Sequence, residues 1–312
     1  MNMEIIVCQN LCKRYKNVIA LEDLTLTFYS GRRYGIVGPN GAGKTTFIKL
    51  VCGLLRPTKG VIRVFSLDPW KDRVKILKRI SVLHEETLLP HGEKVSKFLM
   101  FVGRLKGLSR DVAEKEAKNL LNRFGLRDKI NSAIGNLSAG QKRRLELVST
   151  FMGNPELIIL DEPTRNVDPS GRREVMSIIN ELSREMEISF IISSHSLMYI
   201  EEICDELVVF NKGKVVASAS LKELMAKYFK PAVKIWSNDN LKLLKALKGE
   251  PWVIAADLKD DYVTVILEHA KYNRRLIALL HDLNLDVRRI ESTRPSLDTV
   301  YMKIIGGICD EK

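Results

Sequence analysis

Gly38-Pro39-Asn40-Gly41-Ala42-Gly43-Lys44-Thr45-Thr46 is the stretch that decides the fold. It fits G-x-x-x-x-G-K-[ST], the phosphate-binding loop of nucleoside triphosphatases. Gly38, Gly41 and Gly43 lack Cβ, so the backbone there can curl close to phosphate. The curled N–H groups, Asn40 among them, form an anion nest with the N-terminus of the next helix. Lys44 is expected to reach the β- and γ-phosphates. Thr45 is expected to place its hydroxyl on Mg²⁺, and Thr46 to support the α-phosphate side. A helix terminus is worth about 0.3–1 kcal/mol to an anion. A full charge about 4 Å from a phosphate is worth roughly 4 kcal/mol at an effective dielectric of about 20. Lys44 is therefore expected to be the most damaging single loss.

The flanks suit the loop. Arg33 to Val37 reads as a short buried strand entering it, and Phe47 to Val51 as a helix leaving it. Upstream, residues 4–9 and 24–29 read as two strands joined by a loop. In the second, Leu24, Leu26 and Phe28 alternate with polar residues, the period of a half-buried strand. The joining loop carries Lys13-Arg14-Tyr15, and Tyr15 suits either stacking on an adenine ring or packing on the sheet.

Downstream, Thr58-Lys59-Gly60 turns into a strand at Val61–Phe65, and Ile80–Leu83 leads into His84-Glu85-Glu86. Residues of about 93–150 are expected to be helical. From Asp111 to Phe124 the helix period places Val112, Ala113, Ala117, Leu120, Leu121 and Phe124 on one face. Asn136-Leu137-Ser138-Ala139-Gly140-Gln141 precedes a helical run from Lys142 to Met152. Leu157-Ile158-Ile159-Leu160 ends in Asp161-Glu162, the pattern of a buried parallel strand delivering acids at its C-terminal end. Ile188–Ser193 is a second such strand, ending near His195. Asn211-Lys212-Gly213-Lys214 between two apolar runs signals a hairpin, and Ser220-Leu221-Lys222-Glu223 a helix start.

Lys230-Pro231 reads as a boundary between residues 1–230 and 231–312. Beyond it the order is strand, helix, strand, strand, helix, strand, the split βαβ or ferredoxin-like pattern. The strands are placed at Val233–Trp236, Trp252–Ala256, Tyr262–Leu267 and Val287–Ile290. A last helix is expected from Ser296.

Composition narrows the field less. No apolar run approaches the roughly 20 residues of a membrane span, and the N-terminal residues carry no secretory pattern. Cys8, Cys12, Cys52, Cys204 and Cys309 are scattered without metal-ligand spacing, which suggests inert thiols in a reducing compartment. The net charge is +12, of which residues 1–230 carry +11. Nucleotide, an anionic membrane surface and nucleic acid would all suit that charge.

Taken together, residues 1–230 closely resemble the ATP-binding subunit of ABC transporters. Leu137-Ser138-Ala139-Gly140-Gln141 stands where that family has its signature Leu-Ser-Gly-Gly-Gln. Leu157–Glu162 matches the Walker B strand with its following glutamate. Pro163 to Pro169, including Asp168, sits at the D-loop, and Ser193-Ser194-His195 at the switch histidine. Tyr15 falls at the adenine-stacking aromatic. The resemblance implies an α/β P-loop ATPase core with an antiparallel β subdomain and a helical insert (about 86–150), followed by a small α+β ferredoxin-like domain. It implies ATP and Mg²⁺ as cofactors. Asp161 then holds Mg²⁺, Glu162 polarises the attacking water, and His195 senses the γ-phosphate. Ser138, Gly140 and Gln141 then meet the nucleotide of a second subunit in a head-to-tail homodimer, with Asp168 at the same junction.

Two departures stand out. Glu85, or Glu86, replaces the Q-loop glutamine; a carboxylate can ligate Mg²⁺ but cannot donate a hydrogen bond. Ala139 replaces a signature glycine. The segment Pro295-Ser296-Leu297-Asp298-Thr299-Val300-Tyr301 is similar to the end of domains appended to ABC-2-type exporter subunits. The resemblance thus implies a cytoplasmic ATPase on the inner face of the membrane, coupled to a separate permease, with export as the direction and no nucleic acid as partner. The alternatives are an ABC ATPase acting on nucleic acid or ribosomes, and a nucleotide-binding regulator without turnover. About ninety residues separate Lys44 from Ser138 without heptads, which argues against the coiled-coil repair type.

Overall fold

The computed structural model describes residues 3–85, 89–186, 188–194, 196–228, 230–259, 261–293 and 297–306. The chain divides into two compact units, residues 1–221 and 222–312.

The first unit opens with β1 (Glu4–Tyr15), β2 (Val18–Tyr29), β3 (Arg33–Val37), α1 (Lys44–Val51), β4 (Lys59–Val64), α2 (Arg73–Leu77) and β5 (Ile80–Leu83). The helical insert follows as α3 (Val95–Leu105), α4 (Arg110–Arg123) and α5 (Ala139–Phe151). The unit continues through β6 (Leu157–Asp161), α6 (Pro169–Glu185), β7 (Ser189–Ser193), α7 (Leu197–Ile203), β8 (Glu206–Asn211) and β9 (Lys214–Ser220).

A six-stranded sheet has the order β5-β6-β7-β3-β8-β9. Its first five strands pair in parallel and β9 closes the edge antiparallel. β6 and β7 are buried along their whole length, as a sheet covered on both faces requires. The register sets Asp161 beside Ser193 and Ser193 beside Ile36. The C-terminal ends of β3, β6 and β7 therefore finish together, and the loops after them open on one edge, where ligands bind open α/β sheets.

The second sheet is antiparallel, in the order β2-β1-β4. Its inner face meets α1 through an aromatic chain. Phe28 lies 4.6 Å from Tyr34 and 5.6 Å from Phe47, and Phe47 lies 5.8 Å from Phe210, between ring centroids. Phe47 and Phe28 are fully buried, so α1 is pinned by its apolar face, and the loop that precedes it is held from below.

Residues 10–23 do not form the expected loop. β1 and β2 stay paired from Glu4 opposite Tyr29 to Tyr15 opposite Val18. Four register shifts and left-handed backbone at Asn10, Lys16 and Asp23 interrupt the ladder. Each bulge changes which face the following residues occupy, which erases the period of two that would have identified a long strand.

In α4, Ala113, Ala117, Leu120 and Leu121 are buried. Val112, expected on the same face, is 52% exposed, one position off the buried stripe. α5 starts three residues earlier than expected. Ser138 is its N-cap: Ser138 Oγ accepts from Gln141 N (3.2 Å), and Gln141 Oε1 accepts from Ser138 N (3.0 Å). This reciprocal capping box stabilises the first turn.

The second unit contains α8 (Leu221–Tyr228), β10 (Ala232–Ser237), α9 (Asn240–Lys248), β11 (Val253–Lys259), β12 (Tyr262–Leu267), α10 (Asn273–Asp282), β13 (Val287–Thr293) and α11 (Leu297–Gly306). Its sheet is antiparallel, in the order β11-β12-β10-β13, the ferredoxin-like arrangement of βαββαβ. Val233, Ile235, Val263, Val265 and Leu267 alternate onto one face and pack with Leu243, Leu247, Leu276 and Leu280. Pro295 and Ser296 lie outside the described residues. Among the described residues no helix is long and apolar enough to cross a membrane.

Candidate active site

The loop after β3 has the close contacts its glycines suggest. Gly43 has φ 107°, and a Cβ there would stand 2.6 Å from Ala20 O and from Leu21 Cδ2. A Cβ on Gly38 would stand 2.3 Å from Phe210 O. The curl thus depends on β2 and β8 approaching closer than any side chain permits. Lys44, the first residue of α1, is buried and donates from Nζ to Gly38 O (2.6 Å) and Pro39 O (3.1 Å). An ammonium has three donors, so one remains for a ligand.

A cavity of about 520 Å³ opens above this loop. Tyr15, Asn40, Gly41, Gly43, Lys44, Thr45, Thr46, Glu85, Asp161 and Glu162 all line it. Residues far apart in sequence are brought together because β3 and β6 end at the same edge and β1 reaches over it. Tyr15 is 41% exposed, with Lys13 Nζ 5.2 Å from its ring centroid. It does not pack into the sheet; its ring is part of the cavity wall.

Electrostatically the cavity sets three carboxylates against one buried ammonium. Burial pulls Lys44 below its ordinary pKa, and the charges of Glu162, Asp161 and Glu85 oppose that pull. Asp161 is buried at the end of β6, and its Oδ1 accepts from Ser193 Oγ. Glu162 adopts left-handed backbone (φ 49°), a conformation that a non-glycine residue keeps only when its surroundings impose it. Glu162 N donates to Ser193 O (3.1 Å). Glu85 accepts from Arg165 Nη1. His195 and Glu86 lie outside the described residues.

Ser138, Gly140, Gln141 and Asp168 do not line the cavity. Ser138 is exposed at the start of α5. Gln141 is engaged in the capping box. Asp168 caps α6, accepting from Gly171 N (3.0 Å) and Ser170 Oγ, and these hydrogen bonds hold its carboxyl below its ordinary pKa.

One residue was missed in the sequence. Arg143, in α5, is 2% exposed and uses all five of its N–H donors. Nε donates to Pro163 O (3.2 Å), Nη2 to Asp161 O (2.9 Å) and Glu162 O (2.7 Å), and Nη1 to His84 O (2.7 Å) and Glu146 Oε2 (2.9 Å). It thereby fixes the backbone on both sides of the carboxylate cluster. In sequence it is one of three basic residues, Lys142-Arg143-Arg144. The available signal was the helix period: Arg143, Glu146, Leu147 and Thr150 share one buried face of α5.

The Thr45 hydroxyl and the Asp161 and Glu85 carboxylates bring oxygen donors to the cavity wall. Hard oxygen ligands fit Mg²⁺. Among the described residues no cage of three His, Cys, Asp or Glu is assembled. Cys8 and Cys52 are buried, and burial pushes both thiols up to about 12. They are not nucleophiles at neutral pH.

A glycine-rich strand-to-helix loop with a buried lysine, beside a strand ending in acids, defines a P-loop nucleoside-triphosphate fold. The ABC transporter family model matches residues 21–165. Over 97% of this chain and 99% of the relative, it is 30% identical to the uncharacterized ABC transporter ATP-binding protein YhaQ of Bacillus subtilis (strain 168). It is also 30% identical, over 97% of this chain and 92% of the relative, to the daunorubicin/doxorubicin resistance ATP-binding protein DrrA of Streptomyces peucetius. A solved ATP-binding subunit of an ABC transporter is similar with a TM-score of 0.66 and 26% identity, covering 72% of this chain and 93% of that one. The chain belongs to the ATP-binding proteins of ABC transporters. It is an ATPase subunit whose hydrolysis is coupled to transport. Action on nucleic acid, the alternative raised by the basic charge, is not favoured by these relatives.

Proposed function

We propose that two copies of this chain meet head to tail around two ATP molecules and drive a separate membrane permease in the direction of export. The observation that carries this reading is the division of the site. Tyr15, Lys44, Thr45, Asp161 and Glu162 line one cavity, while Ser138 and Gly140 stand at an exposed helix start away from it. Two-fold symmetry supplies the missing donors from a second copy.

In this arrangement Tyr15 stacks on the adenine. The loop N–H groups and Lys44 hold the phosphates, with Gly38, Asn40, Gly41, Gly43 and Thr46 shaping the cradle. Thr45 and Asp161, with Glu85 at the same edge, would hold Mg²⁺. The ion would neutralise phosphate charge. Glu162 orients the attacking water and takes its proton. His195 contacts the γ-phosphate. Ser138, Gly140 and Gln141 close the nucleotide of the partner copy, and Asp168 orders the junction. Hydrolysis removes contacts that only the closed dimer makes, so the dimer opens. Export is supported by the similarity to a resistance protein over 97% of the chain, the second unit included. The protein then works in the cytoplasm, at the inner face of the membrane through its permease.

Lys44→Ala and Ser138→Arg should each abolish turnover as homodimers. Mixed, they rebuild one intact site per hybrid dimer, so phosphate release recovers to at most about a quarter of wild type. Wild-type turnover by both single variants would rule out the shared site. For the permease, tagged chain extracted from native membranes in detergent should elute with a membrane protein of several spans. Recovery from the soluble fraction alone would overturn the coupling.

A further inference from the structure

Glu85 adds a third carboxylate to a cavity built for phosphate. It lines that cavity beside Asp161 and Glu162, and all three charges act on Lys44. Like charges oppose one another across such distances in proportion to 1/εr. An uncompensated carboxylate at this edge would repel a triphosphate.

The compensation is Arg165. Its Nη1 donates to Glu85 Oε1. Arg165 stands three residues after Glu162, and its N–H donates to Glu162 O at 3.1 Å. The stems of both partners are fixed by one buried group. Arg143 donates to the carbonyl of His84, just before Glu85, and to those of Glu162 and Pro163, just before Arg165. The pair therefore bridges two anchored loops. The side chains are 45% and 47% exposed, so the pair contributes little to folding. Its effect is on the field at the phosphates.

We propose that Arg165 is the charge-balancing, positioning partner that lets a carboxylate stand at position 85 of this triphosphate site. The Glu85–Arg165 pair as a whole carries no net charge, so the phosphates meet a dipole in place of a third anion. This rests on the nucleotide reading of the cavity, and it adds a role for a residue to which the motifs assign none.

The test is a four-corner cycle on the full chain, measuring ATP affinity by calorimetry in EDTA at low ionic strength. Arg165→Ala leaves the pair one charge negative and should weaken binding about three- to tenfold. Glu85→Gln leaves it one charge positive and should tighten binding by a similar factor. The double variant is neutral again and should return near wild type. Both single shifts should shrink at high salt, which screens exposed charges. Should Arg165→Ala be unstable, Glu85→Gln carries the test in the opposite direction. Wild-type affinity in both single variants would overturn the proposal, as would a double variant as weak as Arg165→Ala or shifts indifferent to salt. Failure of the wild-type chain to bind ATP would overturn the nucleotide reading itself.

Discussion

Glu162→Gln retains ATP, loses hydrolysis by a factor on the order of 10²–10⁴, and accumulates as a dimer. The amide has the shape of the carboxylate but cannot take a proton from water. The groups proposed to hold the nucleotide, Lys44, Thr45 and the loop N–H groups, are untouched. The backbone of Glu162 is held independently of its side chain, by Ser193 O (3.1 Å), Arg143 Nη2 (2.7 Å) and Arg165 N (3.1 Å). The substitution therefore leaves the left-handed turn at φ 49° in place. In the proposed head-to-tail pair, bound ATP that is not cleaved keeps joining the two copies. Phosphate release and gel filtration with ATP measure the two effects. Hydrolysis at the wild-type rate would remove Glu162 from its role.

Arg143→Met should destabilise the first unit by about 3–5 kcal/mol, the cost of breaking one side of a buried ion pair. The loss is large because five acceptors each lose one hydrogen bond together: His84 O, Asp161 O, Glu162 O, Pro163 O and Glu146 Oε2. Hydrogen bonds lost at buried acceptors are not made good by water. For a unit of this size the melting midpoint should fall by roughly 6–20 °C. Arg143→Lys should recover only part of it, since an ammonium has three donors and no planar fork. Removing the exposed pair Lys118–Glu114 by Lys118→Ala is the control, with a midpoint close to that of the wild type. Circular dichroism melts of the three variants decide it. A midpoint for Arg143→Met equal to that of the control would mean the clamp is not structural.

The parts of the fold legible in the sequence were those with local rules. Leu157–Asp161 announced itself as a buried strand because a strand covered on both faces has no polar residue to interrupt it. The second unit's βαββαβ order followed from alternation in its strands and the Leu276–Leu280 stripe of α10. Residues 10–23 failed the same test because β-bulges break alternation without ending the strand. Val112 failed because a helix stripe is known from sequence only to within a residue or so of its edge.

The site divides along the same line. Gly38 to Thr46 determined by itself that the chain cradles phosphate, because the need for bare backbone and a lysine at fixed spacing is written into consecutive residues. The acids at 161 and 162 were likewise readable from the strand that carries them. Only the tertiary structure decided that Tyr15 faces the cavity, that Arg143 clamps the carbonyls around the acids, and that Arg165 pairs with Glu85. The hydrogen bonds among them join residues 18 to 80 positions apart. Their partners are chosen by the parallel register of β3, β6 and β7, which no local pattern specifies.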